Sequence, residues 1–404
     1  MFDVKKEAAA LSAELETIYK DLHRHPEIGY DEHRTSGIIA DYLRACGMEV
    51  QTGIAITGVV GTLDSGRAGK TLLIRADMDC LQVEEMTACD YRSENPGKMH
   101  ACGHDAHVTM LLGAAKLLSA HRDAFRGKIK FLFEPSEESI PASMKETVRA
   151  AGYDGEGGAG FMIQQGVLDG VDMALALHVQ PVVPAGKIQI ARHEATASSD
   201  VYDIMLTGKG GHGAMPENAV DPVPAMAELI TAIHMLPTRE VSSMENCVIS
   251  IGQVELPGSV WNVVPERAHI VGGFRTFNND VRALLRQRIP ELAEGIAKAN
   301  RCTAVCTQTL GYDATINDEA MALEVSRTLE NIVGEGNVIL TNKPFMGSED
   351  FGCFTQHVPG VLFWLGIGTG EDDKPLHNPY FKMDLQALPV GTACHVQNAL
   401  HFLK

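Results

Sequence analysis

Thr71-Leu72-Leu73-Ile74-Arg75-Ala76 is a short apolar run with one arginine set into it, followed at once by Asp77-Met78-Asp79. A run of this kind reads as a strand of a sheet covered on both faces, and polar groups at strand ends are where such sheets gather their chemistry. Outward from it the same signal repeats. Lys128–Phe133 and Asp172–His178 read as further strands and Asp105–His121 as a helix. At the N-terminus Ala8, Leu11, Leu15, Ile18 and Leu22 recur at steps of three and four, the pattern of an amphipathic helix ending near Pro26. Strands alternating with helices predict an α/β domain with a mostly parallel sheet.

The order changes between about 195 and 310. Strand (200–208), helix (220–235), two strands (247–255 and 263–274), helix (279–299) and strand (302–309) follow one another, which is the βαββαβ order of a ferredoxin-like unit. The expected organisation is an α/β domain in two segments, 1–194 and 311–404, interrupted by an inserted α+β domain at 195–310. A chain of 404 residues is long enough for this division. The glycine-rich stretch 152–160 reads as a flexible loop.

The formal net charge of −18 argues against nucleic-acid or anionic-membrane partners, which are approached through basic patches. The nine cysteines are odd in number and lack a framework spacing, so they are expected to be reduced thiols. The first residues include Asp3, Lys5, Lys6 and Glu7 with no apolar core, and no window approaches about 18 apolar residues; the expected location is the cytoplasm.

Met99-His100-Ala101-Cys102-Gly103-His104-Asp105-Ala106-His107 packs one thiol and three imidazoles into nine residues. Cysteine and histidine are borderline-soft ligands suited to zinc and its neighbours, and a carboxylate can join them in a site left open for water. A buried thiol beside a capping histidine is the plainer alternative. Glu137 and Glu138 follow the strand Lys128–Phe133. In a metal site one such carboxylate coordinates while its neighbour moves a proton; an adjacent acidic pair is otherwise a solvated loop. His178 closes a strand and His377 lies in Pro375-Leu376-His377-Asn378-Pro379, and neither means much alone. Gly208-Lys209-Gly210-Gly211-His212-Gly213 lacks the Walker spacing. Asn262 is a neutral donor, and Arg275 suits either a carboxylate grip or a structural ion pair.

Taken together, His23-Arg24-His25-Pro26-Glu27, Arg75–Asp79, Met99–His107, Phe133–Glu138, Leu177-His178, Gly208–Pro216, Asn262–Pro265, Met346–Phe351 and Leu376–Pro379 resemble the amidohydrolase branch of the aminoacylase and carboxypeptidase-like metallopeptidases. That branch includes hippurate hydrolases, bacterial N-acyl-amino-acid amidohydrolases and plant auxin-conjugate hydrolases. The resemblance implies a zinc-exopeptidase-like catalytic domain with an inserted lid that commonly forms a dimer interface. It also implies two divalent metal ions, zinc or manganese first and cobalt or nickel acceptable, held by Cys102, His104, Glu138, His178 and His377. Asp79 would support them. Glu137 would be the general base and His212 the oxyanion donor, in a dimer usually to the partner's site. Asn262 and Arg275 match positions that grip the substrate's carboxylate end. The implied reaction is hydrolysis of a small N-acyl or N-aroyl amino acid to a carboxylic acid and a free amino acid. A dipeptidase is the enzymatic alternative and a non-catalytic metal-binding scaffold the other.

Two departures from the family pattern stand out. Asp79 is followed by Cys80-Leu81-Gln82 where the family usually has Ala-Leu-Pro, and Ser139–Glu156 intervenes before Gly157-Gly158-Ala159. The second is expected to border the acyl pocket.

Overall fold

The computed structural model describes residues 2–370 and 373–404. It divides into two compact units. The first runs up to Ala195 and resumes over Thr315–Pro344 and Asp350–Lys404; the second comprises Thr196–Ala314 with Phe345–Glu349. Alternation of helix and strand places the insertion near these bounds but carries no sign that 345–349 returns to it.

The first unit is built on an eight-stranded mixed sheet. From one edge its strands are Glu49–Ile54, Gly58–Asp64, Lys128–Glu134, Thr71–Asp77, Met173–Pro184, Gly360–Gly368, Ile188–Ala191 and Val338–Thr341. The four central strands are mutually parallel. They are buried along almost their whole length, as strands covered on both faces must be. Alternate side chains feed two apolar cores. Leu72, Ile74, Phe131, Leu175 and Phe363 enter one, with the helices His104–Ala120 and Ala387–Phe402; Leu73, Leu132, Ala176 and Leu362 enter the other, with Phe161 and Phe354. Each fully buried Leu, Ile or Phe contributes roughly 1.5–3 kcal/mol, so the sheet's position is fixed by its own period-two sequence.

Register then sets the site. Asp77 pairs with Glu134 across one parallel ladder and Arg75 with Ala176 across the other. The residues just past these pairs, Met78-Asp79, Pro135–Glu138 and His178, therefore emerge at one edge of the sheet.

Two local expectations need revision. The N-terminal helix is two helices, Val4–Ala10 and Ser12–Arg24, meeting at Leu11. The stretch 152–160 is tied down: the amides of Gly158 and Ala159 donate to Asp350 Oδ2 at 3.2 and 3.0 Å, and Tyr30 Oη donates to the Gly157 carbonyl at 2.6 Å. A Cβ at Gly158 would meet the Pro135 carbonyl oxygen at 1.8 Å, so glycine there permits a close approach. The 139–156 segment carries the helix Lys145–Ala150 and buries Ile140 and Val148 in the second core, so it is a packed element.

The second unit is a four-stranded antiparallel sheet in the order Cys247–Glu255, Arg267–Thr276, Asp200–Thr207, Thr303–Leu310, with helices Pro222–Arg239 and Asn279–Ala299. Tyr202, Ile204 and Leu206 face Leu229, Ile233, Leu285 and Ile289 in its core. The strand expected over 263–274 is broken. Val263–Val264 pairs with Gly211–His212 in a separate ribbon, and the long strand begins only at Arg267. Pro265 lies at the break, where it has no amide to give a ladder.

Candidate metal centre

Gly103 has φ +85, a left-handed turn that glycine adopts without strain, and it caps the helix His104–Ala120. The turn leaves Cys102 and His104 at the helix N-terminus. His377 sits on a loop whose amide donates to the Ala101 carbonyl at 2.8 Å. Cys102 Sγ is thereby 3.4 Å from His178 Nε2 and 3.3 Å from His377 Nε2. Glu138 Oε1 lies 3.2 Å from His377 Nε2 and 3.9 Å from His104 Nε2, and Glu137 Oε2 lies 3.8 Å from His104 Nε2. These are the edge lengths of ligands around a small cation. They form overlapping groups, Cys102–His104–His178, Cys102–Glu138–His377 and His104–Glu137–Glu138, the first two sharing the thiol.

The surroundings aim these atoms. Asp79 accepts the Glu138 amide on Oδ2 at 3.1 Å and faces His104 Nδ1 with Oδ1 at 3.0 Å, so it holds both residues. His178 Nδ1 donates to the Val179 carbonyl at 2.6 Å, leaving its Nε2 lone pair toward Cys102. The Val179 amide donates to His107 Nε2 at 2.9 Å, and His107 Nδ1 meets Asp77 Oδ1 at 2.5 Å. Behind Asp77 the fully buried Arg75 guanidinium spans three carboxylates, Glu134 and Asp77 at 2.6 Å and Asp350 at 2.8 Å.

The charge balance calls for a cation. Burial, then Glu138, Glu137 and Asp77, push the Cys102 thiol well up. Burial would depress His104, but Asp77, Asp79 and Glu138 outweigh it and push it up to about 10. Burial and the neighbouring His107 keep His178 well below the usual imidazole range, hence neutral and able to ligate. His104 Nε2 is buried with no hydrogen-bond partner among the described residues, a costly state that a metal ion relieves. The donor set of thiol, imidazoles and carboxylates fits a divalent ion.

Residues 73–401 match the profile of Peptidase family M20/M25/M40. The chain belongs to this family. Among its relatives is the IAA-amino acid hydrolase ILR1-like 4 of Arabidopsis thaliana, 33% identical over 393 residues, covering 96% of this chain and 85% of that one. The hippurate hydrolase of Campylobacter jejuni is 34% identical over 396 residues and covers 98% of each chain. A solved Bacillus subtilis protein of the same family, described as a dinuclear metal binding peptidase, matches with a TM-score of 0.81 at 28% identity over 98% of this chain and 99% of that one. These relatives place this chain in the amidohydrolase branch of the family.

The remaining expected residues lie in the inserted unit. His212 is exposed and sits opposite Val263 in the two-stranded ribbon; the Gly213 amide donates to the Asn262 carbonyl at 2.9 Å, so His212 and Asn262 are neighbours. Arg275 donates to the Met346 carbonyl and Ser348 Oγ, both at 3.1 Å. No ion pair of Arg275 is found among the described residues. Arg75, Asp77, His107 and Asp350 support the centre, and none of the four is among the candidate site residues expected from the sequence. Arginine inside a buried strand was the available signal for the first.

Proposed function

We propose that this family member hydrolyses N-acyl or N-aroyl amino acids, with two divalent ions held by Cys102, His104, Glu138, His178 and His377. The observation that carries the reading is Glu137, 5% exposed, placed beside five convergent donor residues at the end of a buried strand. Two divalent ions there would lower the pKa of a water and polarise the amide carbonyl. Glu137 then takes a proton from the attacking water and returns it to the departing amine. Zinc and manganese suit the donor set first, with cobalt and nickel also tolerated.

The hippurate and auxin-conjugate relatives support the acyl-amino-acid substrate. The dinuclear peptidase among the solved structures favours a second reading, a dipeptidase. Mass-spectrometric scoring of N-acetyl, N-benzoyl and longer-acyl amino acids against free dipeptides separates them. Amino acid released from an acylated class is the expected result, and cleavage confined to free dipeptides would overturn it.

His212 is proposed as the oxyanion donor. The Ala214 amide donates to its Nδ1 at 3.0 Å, so the neutral ring carries its proton on Nε2, available to a developing negative oxygen. His212→Ala should lower kcat by roughly 10²–10³ with metal content unchanged. Loss of metal instead would mean that His212 is a ligand. Arg275, a half-buried cation that donates to the Met346 carbonyl and Ser348 Oγ, and the exposed Asn262 are proposed to hold the substrate carboxylate.

A homodimer through the inserted unit is part of the proposal. It is supported by that unit's open-edged strand Cys247–Glu255 and by the exposed Val248, Val254 and Trp261, the last 97% exposed. A cytoplasmic location is proposed with it, since all nine cysteines are free and the centre uses a thiolate. No described helix is long and apolar enough to cross a membrane.

A further inference from the structure

We propose that His23, Glu85 and Cys89 form a further zinc-binding site, separate from the five-residue centre. His23 ends the helix Ser12–Arg24, while Glu85 and Cys89 come from the loop between Asp79 and Met99. Glu85 Oε1 lies 3.5 Å from His23 Nε2 and 3.6 Å from Cys89 Sγ, and the three donor atoms all lie within 4.8 Å of one another. A tetrahedral zinc with bonds of about 2.1 Å to nitrogen and oxygen and about 2.3 Å to sulfur sets N···O edges of about 3.4 Å and S···O edges of about 3.6 Å. The side chains already stand at those separations.

Each donor is held from behind, as metal ligands usually are. His23 Nδ1 bonds Asp105 Oδ2 at 2.6 Å, the carboxylate–histidine arrangement that presents the opposite nitrogen to a metal. Glu85 Oε2 accepts the Ser93 amide at 2.7 Å, which leaves Oε1 toward the other donors. Thr87 Oγ contacts both Glu85 Oε1 and Cys89 Sγ and, with a water, can complete the fourth position. His23 and Glu85 are each 2% exposed, whereas Cys89 is half-buried and gives the ion a route in.

His23 stands between two buried carboxylates, Asp105 and Glu85. On binding, the Nε2 proton of His23 and the thiol proton of Cys89 leave as zinc bonds those two atoms and Glu85 Oε1, so two positive charges replace two and the net charge of the site is unchanged. Such an ion pins the 84–93 loop to the helix that ends at His23. Through Asp105 it also braces the turn that carries Cys102 and His104.

The test compares the full-length protein with Cys89→Ser, each saturated with zinc, desalted and assayed for metal per chain. One equivalent fewer in the variant is expected, whatever the total. In the cobalt-loaded proteins the thiolate-to-metal absorption should fall in Cys89→Ser by the share that Cys102 does not supply. Complete loss of that band would keep this site and count against Cys102 as a ligand. As a check needing no variant, zinc should slow alkylation of Cys89 in the wild-type protein at least tenfold, read by peptide mapping. Equal metal counts in the two proteins, or an alkylation rate indifferent to zinc, overturns the proposal.

Discussion

Glu137→Ala should leave a folded protein that keeps its metal and loses turnover by about 10²–10⁴ or more, the range for removing a positioned acid–base group. The expectation rests on how the residue is placed. Ser136 takes φ +57 at the end of the strand Lys128–Glu134, and its amide donates to Glu32 Oε1 at 2.9 Å. That turn directs two successive acidic side chains at the same group of imidazoles. Glu138 lies against His377 at 3.2 Å, within coordination-edge distance, and both carboxylates stand near His104, Glu137 at 3.8 Å and Glu138 at 3.9 Å. Glu138, set against two candidate ligands, is proposed to bind and Glu137 to move a proton. The two should therefore differ in their mutants: Glu138→Ala loses metal, and Glu137→Ala keeps it. Steady-state kcat with metal content measured on the same samples decides between them. A Glu137→Ala protein within tenfold of wild type would remove the proton-transfer role, and one lacking metal would make Glu137 a ligand.

The pattern of residues reveals the central sheet because both of its faces are dry. Leu72 and Ile74 enter one core and Leu73 the other, so hydrophobicity is nearly continuous and the strands stand out. The ferredoxin-like insertion is legible for the opposite reason, since one face is wet and the strand Asp200–Thr207 alternates strictly. Pro265 marks the break in the strand expected over 263–274, but its consequence, a ribbon that carries His212, depends on a pairing distant in sequence. The donor residues are partly legible because Cys102 and His104 are packed in one short segment. His178 and His377 are legible only through the family resemblance, and it is the register and the loop that bring them to the thiol. What sequence patterning does not show is the support. Asp350 is 275 residues from Arg75, and no local rule links them.

Arg75→Met should be the most damaging single change to stability, because Arg75 is the shared partner of three buried acids. Removing one member of a buried ion pair costs about 3–5 kcal/mol, since the charge left behind has neither water nor partner. Here the guanidinium meets Glu134, Asp77 and Asp350 at 2.8 Å or less, and all four side chains are essentially inaccessible. The expected result is a fall in Tm of many degrees, or no soluble protein at all. The pH dependence identifies the cause. In the wild type, burial raises Asp77, but His104, His107 and Arg75 outweigh it and hold the carboxyl well below its usual range. A carboxyl depressed in the fold stabilises above its unfolded pKa of about 3.9, and that stability is lost as pH falls. Without Arg75 one of the groups that lower Asp77 is gone, so its depression is weaker: the deficit of Arg75→Met should be largest near neutral pH and narrow as the acids protonate. Thermal melts of both proteins across the acid range test this, and a deficit independent of pH would mean that Arg75 acts through packing and not through charge. The same carboxylate network extends to the candidate metal centre. Asp77 holds His107, His107 accepts from the Val179 amide, and Val179 takes the Nδ1 proton of His178 on its carbonyl. An arginine buried in the strand Thr71–Asp77 thus fixes which nitrogen of a candidate ligand is free to bind.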